Sequence, residues 1–110
     1  MPNIFKRSKL NPILKPDPAC VWRSVMVYNP GALYEEGQYH LFFRALGQAW
    51  VSKIGHSTSR DGENFKVREP KALLRPEGWS EKNGVEDPRV RKLGSTFYLP
   101  YTTYDGECAC

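Results

Sequence analysis

The sequence predicts an all-β chain, and three observations carry that prediction. Alternation of apolar and polar residues recurs along the 110 residues, whereas apolar residues at helical spacing are hard to find. Nine Gly and nine Pro supply the turns that many short strands need. Aromatic residues make up 13% of the chain, a high share that suits strands.

The elements follow in order. Residues 25–28 read as a short strand, stopped by Asn29-Pro30-Gly31. Residues 32–34 resume it, and Glu35-Glu36-Gly37 turns the chain. In residues 38–45, Tyr39, Leu41 and Phe43 share one face, and His40, Phe42 and Arg44 share the other. Both faces are partly apolar, which predicts a strand buried on both sides. Residues 50–59 alternate Trp50, Ser52, Ile54 and His56 against Val51, Lys53, Gly55 and Ser57. Asp61-Gly62 is a strong turn signal. Prolines in residues 69–76 resist regular pairing. Residues 90–92 and 96–103 are again strands, split by Gly94-Ser95, and Tyr104-Asp105-Gly106 closes with a turn.

An internal repeat underlies this order. An offset of 58 residues puts Asn29-Pro30 on Asp87-Pro88, Tyr39 on Phe97, Leu41 on Leu99 and Phe43 on Tyr101. A unit of several antiparallel strands in roughly 50 to 60 residues has the size of a propeller blade. On that reading Asn29 and Asp87 hold equivalent positions near a central channel. Two unrelated hairpins in a sandwich are the plainer alternative.

Composition excludes several classes. Hydrophobic residues are 40% and charged residues 25%, which is globular rather than disordered. No run of about 18 apolar residues exists, which argues against a membrane span. Residues 1–16 carry Lys6, Arg7 and Lys9 but no apolar core of a secretory signal. The net charge of +4 comes from scattered residues, without the basic stripe of a nucleic-acid binder. Cys20, Cys108 and Cys110 fit no common zinc spacing, and free thiols point to a reducing compartment, the cytoplasm. No cluster of His and Cys argues for a metal.

The densest constellation of chemistry-bearing residues is Asn83-Gly84-Val85-Glu86-Asp87-Pro88-Arg89. Pro88 is expected to hold Asp87 in extended geometry. A carboxyl fixed there can serve as a general acid toward a glycosidic oxygen. Asp-Pro also starts ordinary turns, and Arg89 can simply pair with Glu86. Arg44 ends an apolar strand, so its guanidinium either reaches solvent or lies in a site for sugar hydroxyls or phosphate. Asn29 can offer its amide to a hydroxylated ligand, and Tyr104 and Asp105 a hydroxyl and a carboxylate; each is also an ordinary turn residue. His40 and His56 fit structural roles. Trp22, Trp50 and Trp79 can stack on sugars, with core packing the plainer role for at least two of them.

Five motifs in order resemble one family. They are Asn29-Pro30-Gly31-Ala32; Leu41-Phe42-Phe43-Arg44-Ala45; Ser52-Lys53-Ile54-Gly55 with residues 59–65; Gly84-Val85-Glu86-Asp87-Pro88-Arg89; and Tyr101-Thr102-Thr103-Tyr104-Asp105-Gly106. Together with Asn11-Pro12-Ile13-Leu14 they resemble the β-mannoside phosphorylases, glycoside hydrolase family 130. The resemblance implies a five-bladed β-propeller, of which residues 1–110 make a single partial domain of about two blades, with residues 1–16 as an N-terminal extension. It implies an inverting enzyme that cleaves β-mannosides with inorganic phosphate to give α-mannose 1-phosphate. Asp87 matches the general acid, Asn29 and Arg44 match residues that hold the mannosyl unit, and Asp105, Tyr104 and Asp61 fall in motifs near the site. Phosphate is a co-substrate, and no metal or other cofactor is implied. A single protein acid suffices where phosphate itself attacks.

The resemblance also has departures. Its phosphate-binding cations come from later blades, and His56 stands where a small or apolar residue is usual. The expected partners are a manno-oligosaccharide or β-mannosyl disaccharide and phosphate, without nucleic acid or membrane. Open sheet edges also allow a homo-oligomer. Two other readings stand beside phosphorolysis: a β-mannoside hydrolase of the same family, and a truncated, non-catalytic sugar-binding fragment. For the 110 residues alone, no useful activity is expected.

Overall fold

The computed structural model describes residues 4–68 and 70–110. Its strands are Met26–Glu35 (β1), Gln38–Leu46 (β2), Lys53–Ser59 (β3), Lys66–Val67 (β4), Gly84–Glu86 (β5), Arg91–Leu93 (β6), Thr96–Tyr98 (β7) and Thr102–Tyr104 (β8). Among the described residues the only helices are two short 3-10 turns, Val21–Arg23 and Trp79–Glu81, so the class is all-β. No helix there is long and apolar enough to cross a membrane.

Strands β1 to β4 form one antiparallel meander. The tight turn between β1 and β2 uses Glu36 and Gly37 with φ of 48° and 77°, the left-handed pair that a two-residue hairpin turn requires. Strand β1 does not stop at Asn29. Tyr28 pairs with Arg44 and Gly31 with Phe42, so Asn29 and Pro30 bulge out and the strand resumes in the same sheet. Pro30 has no N–H to give the ladder, and a bulge accommodates that without ending the pairing.

The second half repeats this hairpin in register. Gly84, Val85 and Glu86 pair with Tyr104, Thr103 and Thr102, and Arg91, Lys92 and Leu93 with Tyr98, Phe97 and Thr96. Each is a β1–β2 pair moved by 58 residues: Met26–Leu46 becomes Gly84–Tyr104, and Glu35–Gln38 becomes Leu93–Thr96. Strands β5 and β6 are thus the two halves of a second β1, with Asp87-Pro88 in the bulge. Strands β7 and β8 are the halves of a second β2. Where Gly31 faces Phe42 in the first repeat, the Arg89 N–H bonds the Pro100 carbonyl at 2.9 Å in the second. Pro100 cannot return the second hydrogen bond, so residues 96–103 form two short strands rather than one.

Other sequence expectations need adjustment. The strand expected over residues 50–59 begins only at Lys53. Trp50 sits in a turn, with φ of 56° and its N–H on the Gly47 carbonyl at 3.0 Å. Tyr104 ends β8 rather than opening a turn. Within residues 69–76, Glu69 lies outside the described residues, and Leu74 meets Ile54 of β3 as an isolated bridge. Residues 1–3 of the expected N-terminal extension also lie outside the described residues.

The core starts from Phe43, which is almost fully buried and stacks on Trp22 at 6.1 Å between ring centroids, with the rings 17° apart. Gly55 makes that stack fit. A Cβ there would lie 2.4 Å from Phe43 Cζ and 2.7 Å from Trp22 Cη2. Ala45, Leu46, Ile54, Val85 and Val90 complete the buried apolar set. Core packing claims one tryptophan rather than two. Trp50 and Trp79 are 64% and 78% exposed, because both lie outside the sheets, one in a turn and one in a 3-10 turn.

The two repeats meet along β1, β3, β5 and β6, where Glu35 pairs with Lys92. Ser52 forms a parallel bridge with Gly84, and the Val85 N–H bonds the Ser52 carbonyl at 3.0 Å. The two bulges also touch: a Cβ on Gly31 would lie 2.7 Å from the Pro88 carbonyl oxygen and 3.0 Å from Arg89 Cα.

Candidate functional site

The join between the repeats gathers Asn29, Arg44 and Asp87. The Asn29 amide donates from Nδ2 to Asp87 Oδ1 at 2.9 Å, and Arg44 Nη1 stands 3.5 Å from the same oxygen. Both Asn29 and Asp87 have φ of 48°. The expectation that Pro88 keeps Asp87 extended is therefore overturned. The bulge needs a left-handed residue, and Asn and Asp are the non-glycine residues that adopt it most readily. Turning the backbone in this way in both repeats brings the two side chains face to face.

Arg44 has closer partners than Asp87. Its Nη2 donates to Glu86 Oε1 at 2.7 Å and its Nε to Ser52 Oγ at 2.8 Å. The Tyr28 ring covers the guanidinium, with the centroid 4.8 Å from Cζ, a cation–π contact. Burial raises the Tyr28 hydroxyl pKa, partly offset by the positive charge of Arg44. Arg89 does not pair with Glu86; its Nη1 donates to the Pro88 carbonyl at 2.9 Å.

Glu86 and Arg44 are the sheltered members, with side chains 15% and 19% exposed, while Asp87 is 38% exposed. Asp87 is thus the most exposed of the three side chains. Its Oδ1 is held by Asn29 and faces Arg44. Among the described residues no donor bonds its Oδ2. A carboxyl with one anchored oxygen and one free oxygen can exchange a proton with a ligand hydroxyl or ether oxygen. The Asn29 amide and the Arg44 fork are donors of the kind that hydroxylated ligands accept from.

The other three candidates serve their own turns. Asp61 Oδ1 accepts the N–H groups of Asn64 at 2.8 Å and Glu63 at 2.9 Å and the Ser59 hydroxyl at 2.7 Å, and Oδ2 accepts the Asn64 amide at 2.7 Å. These bonds, the Asn64 N–H first, hold its carboxyl well below the usual carboxylate range. Asp105 accepts the N–H groups of Cys108 at 2.7 Å and Glu107 at 2.8 Å, which lower its pKa in the same way. The Tyr104 hydroxyl donates to the Gly106 carbonyl at 3.0 Å. None of the three hydrogen-bonds to the Asn29–Arg44–Asp87 group.

Sequence reasoning gave no role to Tyr28 or Ser52 and offered Arg89, not Arg44, as a partner for Glu86. Tyr28 had a signal: it lies directly across the ladder from Arg44, and the 58-residue offset sets it on Glu86. Ser52 stood in one of the family motifs, but its contact depends on the bridge to Gly84. His40 and His56 meet each other, Nδ1 to Nε2 at 3.0 Å, and Phe42 stacks on His56 at 4.6 Å. No group of metal-binding side chains occurs among the described residues.

A family model described as beta-1,4-mannooligosaccharide phosphorylase matches residues 4–109. The chain is 33% identical over 107 residues to the 1,2-beta-oligomannan phosphorylase of Thermoanaerobacter sp. (strain X514), covering 91% of this chain and 36% of that protein. It is 35% identical over 118 residues to the beta-1,2-mannobiose phosphorylase of the same organism, covering 94% of this chain and 39% of that protein. A glycosyl hydrolase structure from Bacteroides ovatus shares the fold with a TM-score of 0.84 at 23% identity, over 94% of this chain and 35% of that one. The chain thus spans little more than a third of the length of these relatives.

Proposed function

Because the chain belongs to the beta-1,4-mannooligosaccharide phosphorylase family, glycoside hydrolase family 130, we propose that it is the N-terminal portion of an inverting β-mannoside phosphorylase. The observation that carries the reading is the Asn29–Asp87–Arg44 contact. It joins a carboxyl with a free oxygen to two donors for sugar hydroxyls, at the seam of two repeats. In the full-length enzyme the repeat continues into a five-bladed propeller, with this seam facing its axis.

Asn29 and Arg44 hold the mannosyl unit next to the scissile bond. A phosphate oxygen attacks the anomeric carbon from the face opposite the leaving oxygen, and the bond to that oxygen breaks. Asp87 gives its proton to the leaving oxygen, directly or through a sugar hydroxyl, and α-mannose 1-phosphate forms with inversion. Phosphate is the co-substrate, and its cationic residues lie in later blades. Tyr104 and Asp105 support the turn after β8 through their hydrogen bonds, while Asp61 caps a turn at the end of β3 opposite Ser52. No metal or organic cofactor enters the reaction, and a homo-oligomer is compatible with it. The three free thiols, Cys20, Cys108 and Cys110, support the cytoplasm as the working compartment.

The test is to incubate the full-length enzyme with a β-mannobiose and inorganic phosphate. Mannose 1-phosphate that appears only with phosphate supports the reading. Free mannose formed at the same rate without phosphate overturns it in favour of hydrolysis.

A further inference from the structure

We propose that Glu86 is a positioning residue: it is the counter-ion of Arg44 and, with Ser52 and Tyr28, fixes the guanidinium so that Asp87 is left to the ligand. Distance separates the two carboxylates. Arg44 Nη2 lies 2.7 Å from Glu86 Oε1, while Nη1 lies 3.5 Å from Asp87 Oδ1. The first is a short charge-assisted hydrogen bond and the second is at the limit of one. Glu86 therefore takes the ion pair, and Asp87 receives only the orienting end of the fork.

Burial points the same way. Glu86 and Arg44 are the less exposed pair, and Ser52, which accepts from Arg44 Nε, is 1% exposed. The Ser52 oxygen lies 3.4 Å from Glu86 Oε1, so both edge partners of the guanidinium belong to one cluster. Tyr28 closes the face. An arginine held at two donors and one face has lost its rotamer freedom before any ligand arrives, which lowers the cost of binding.

The clamp also has an origin in the repeat. Tyr28 and Glu86 are equivalent residues, each immediately before its bulge, and each walls one side of Arg44. One repeat supplies the aromatic face and the other the counter-ion, so the clamp exists only where the two repeats join.

This role in the reaction rests on the function proposed above, but the clamp itself can be measured without turnover. The full-length enzyme is labelled with 15N at its arginines, and solvent exchange of the Arg44 Nε–H is followed by NMR. In the unmodified enzyme that proton is resolved and protected. Glu86→Ala speeds its exchange by about tenfold or more, and Glu86→Gln, which keeps an acceptor oxygen, by less. A residue that only stabilised the fold would lower the unfolding midpoint and leave this exchange unchanged. A folded Glu86→Ala enzyme with unaltered Arg44 exchange overturns the proposal. Should that variant not fold, the unmodified enzyme still decides: an unprotected Arg44 Nε–H overturns it. In the full-length enzyme Glu86→Ala lowers kcat/KM by about tenfold, and Glu86→Gln restores part of it. Absence of phosphorolysis with Arg44 still protected would refute the proposed function and leave the clamp standing.

Discussion

Asn29 and Asp87 occupy the same position in successive repeats, share a φ of 48°, and hydrogen-bond to each other at 2.9 Å across the join. The register of the two hairpins is identical under the 58-residue offset, so the pairing follows from the repeat itself. Duplicated bulges turn two equivalent side chains toward each other. Where one copy carries an amide and the other a carboxyl, the join acquires a donor and an acceptor that meet.

Replacing Asn29 with glycine separates conformation from chemistry. Glycine adopts φ of 48° without strain, so stability should change by no more than about 1 kcal/mol in urea denaturation. The lost amide should lower kcat/KM of the full-length enzyme by about tenfold or more. Full activity in Asn29→Gly would remove this amide from the site.

Gly31 tests the contact between bulges. An alanine Cβ there would press on the Pro88 carbonyl and Arg89 Cα, which are backbone and cannot rotate away. Gly31→Ala should destabilise the chain by about 1–3 kcal/mol in urea. It should also weaken the Asn29–Asp87 contact, read as movement of the Asn29 side-chain amide signals in NMR. An unchanged midpoint would mean the repeats are not packed at this point.

Asp61 gives a pH dependence. Its folded pKa is depressed below the ordinary value of 3.8 by the N–H groups of Asn64 and Glu63 and by two side chains. A depressed carboxyl adds stability above its unfolded pKa and loses it as pH falls through the folded one. The stability gap between the unmodified chain and Asp61→Ala should be full at about pH 7 and should close progressively below about pH 4. A gap independent of pH would contradict the capping role.

Much of this was legible in the sequence. The β1–β2 hairpin shows in its alternation and its Glu36-Gly37 turn, and the repeat shows in Asn29-Pro30 against Asp87-Pro88. What stayed hidden depends on partners distant in sequence. Strand β5 is three residues beginning with glycine, and it becomes a strand only because Thr102, Thr103 and Tyr104 lie beside it. The left-handed backbone at Asp87 contradicts the local rule for a residue before proline, since the bulge outweighs it. The Glu86–Arg44 pair is 42 residues apart, so the sequence offered only the nearer Arg89 as a partner for Glu86.

The most direct measurement of the central claim uses Asp87→Asn in the full-length enzyme. Asparagine keeps the size and one acceptor oxygen but has no carboxyl proton to give. The account predicts that phosphate-dependent formation of mannose 1-phosphate falls by about a hundredfold or more, while β-mannobiose still binds by calorimetry. Turnover equal to the unmodified enzyme would contradict it and remove Asp87 as the proton donor.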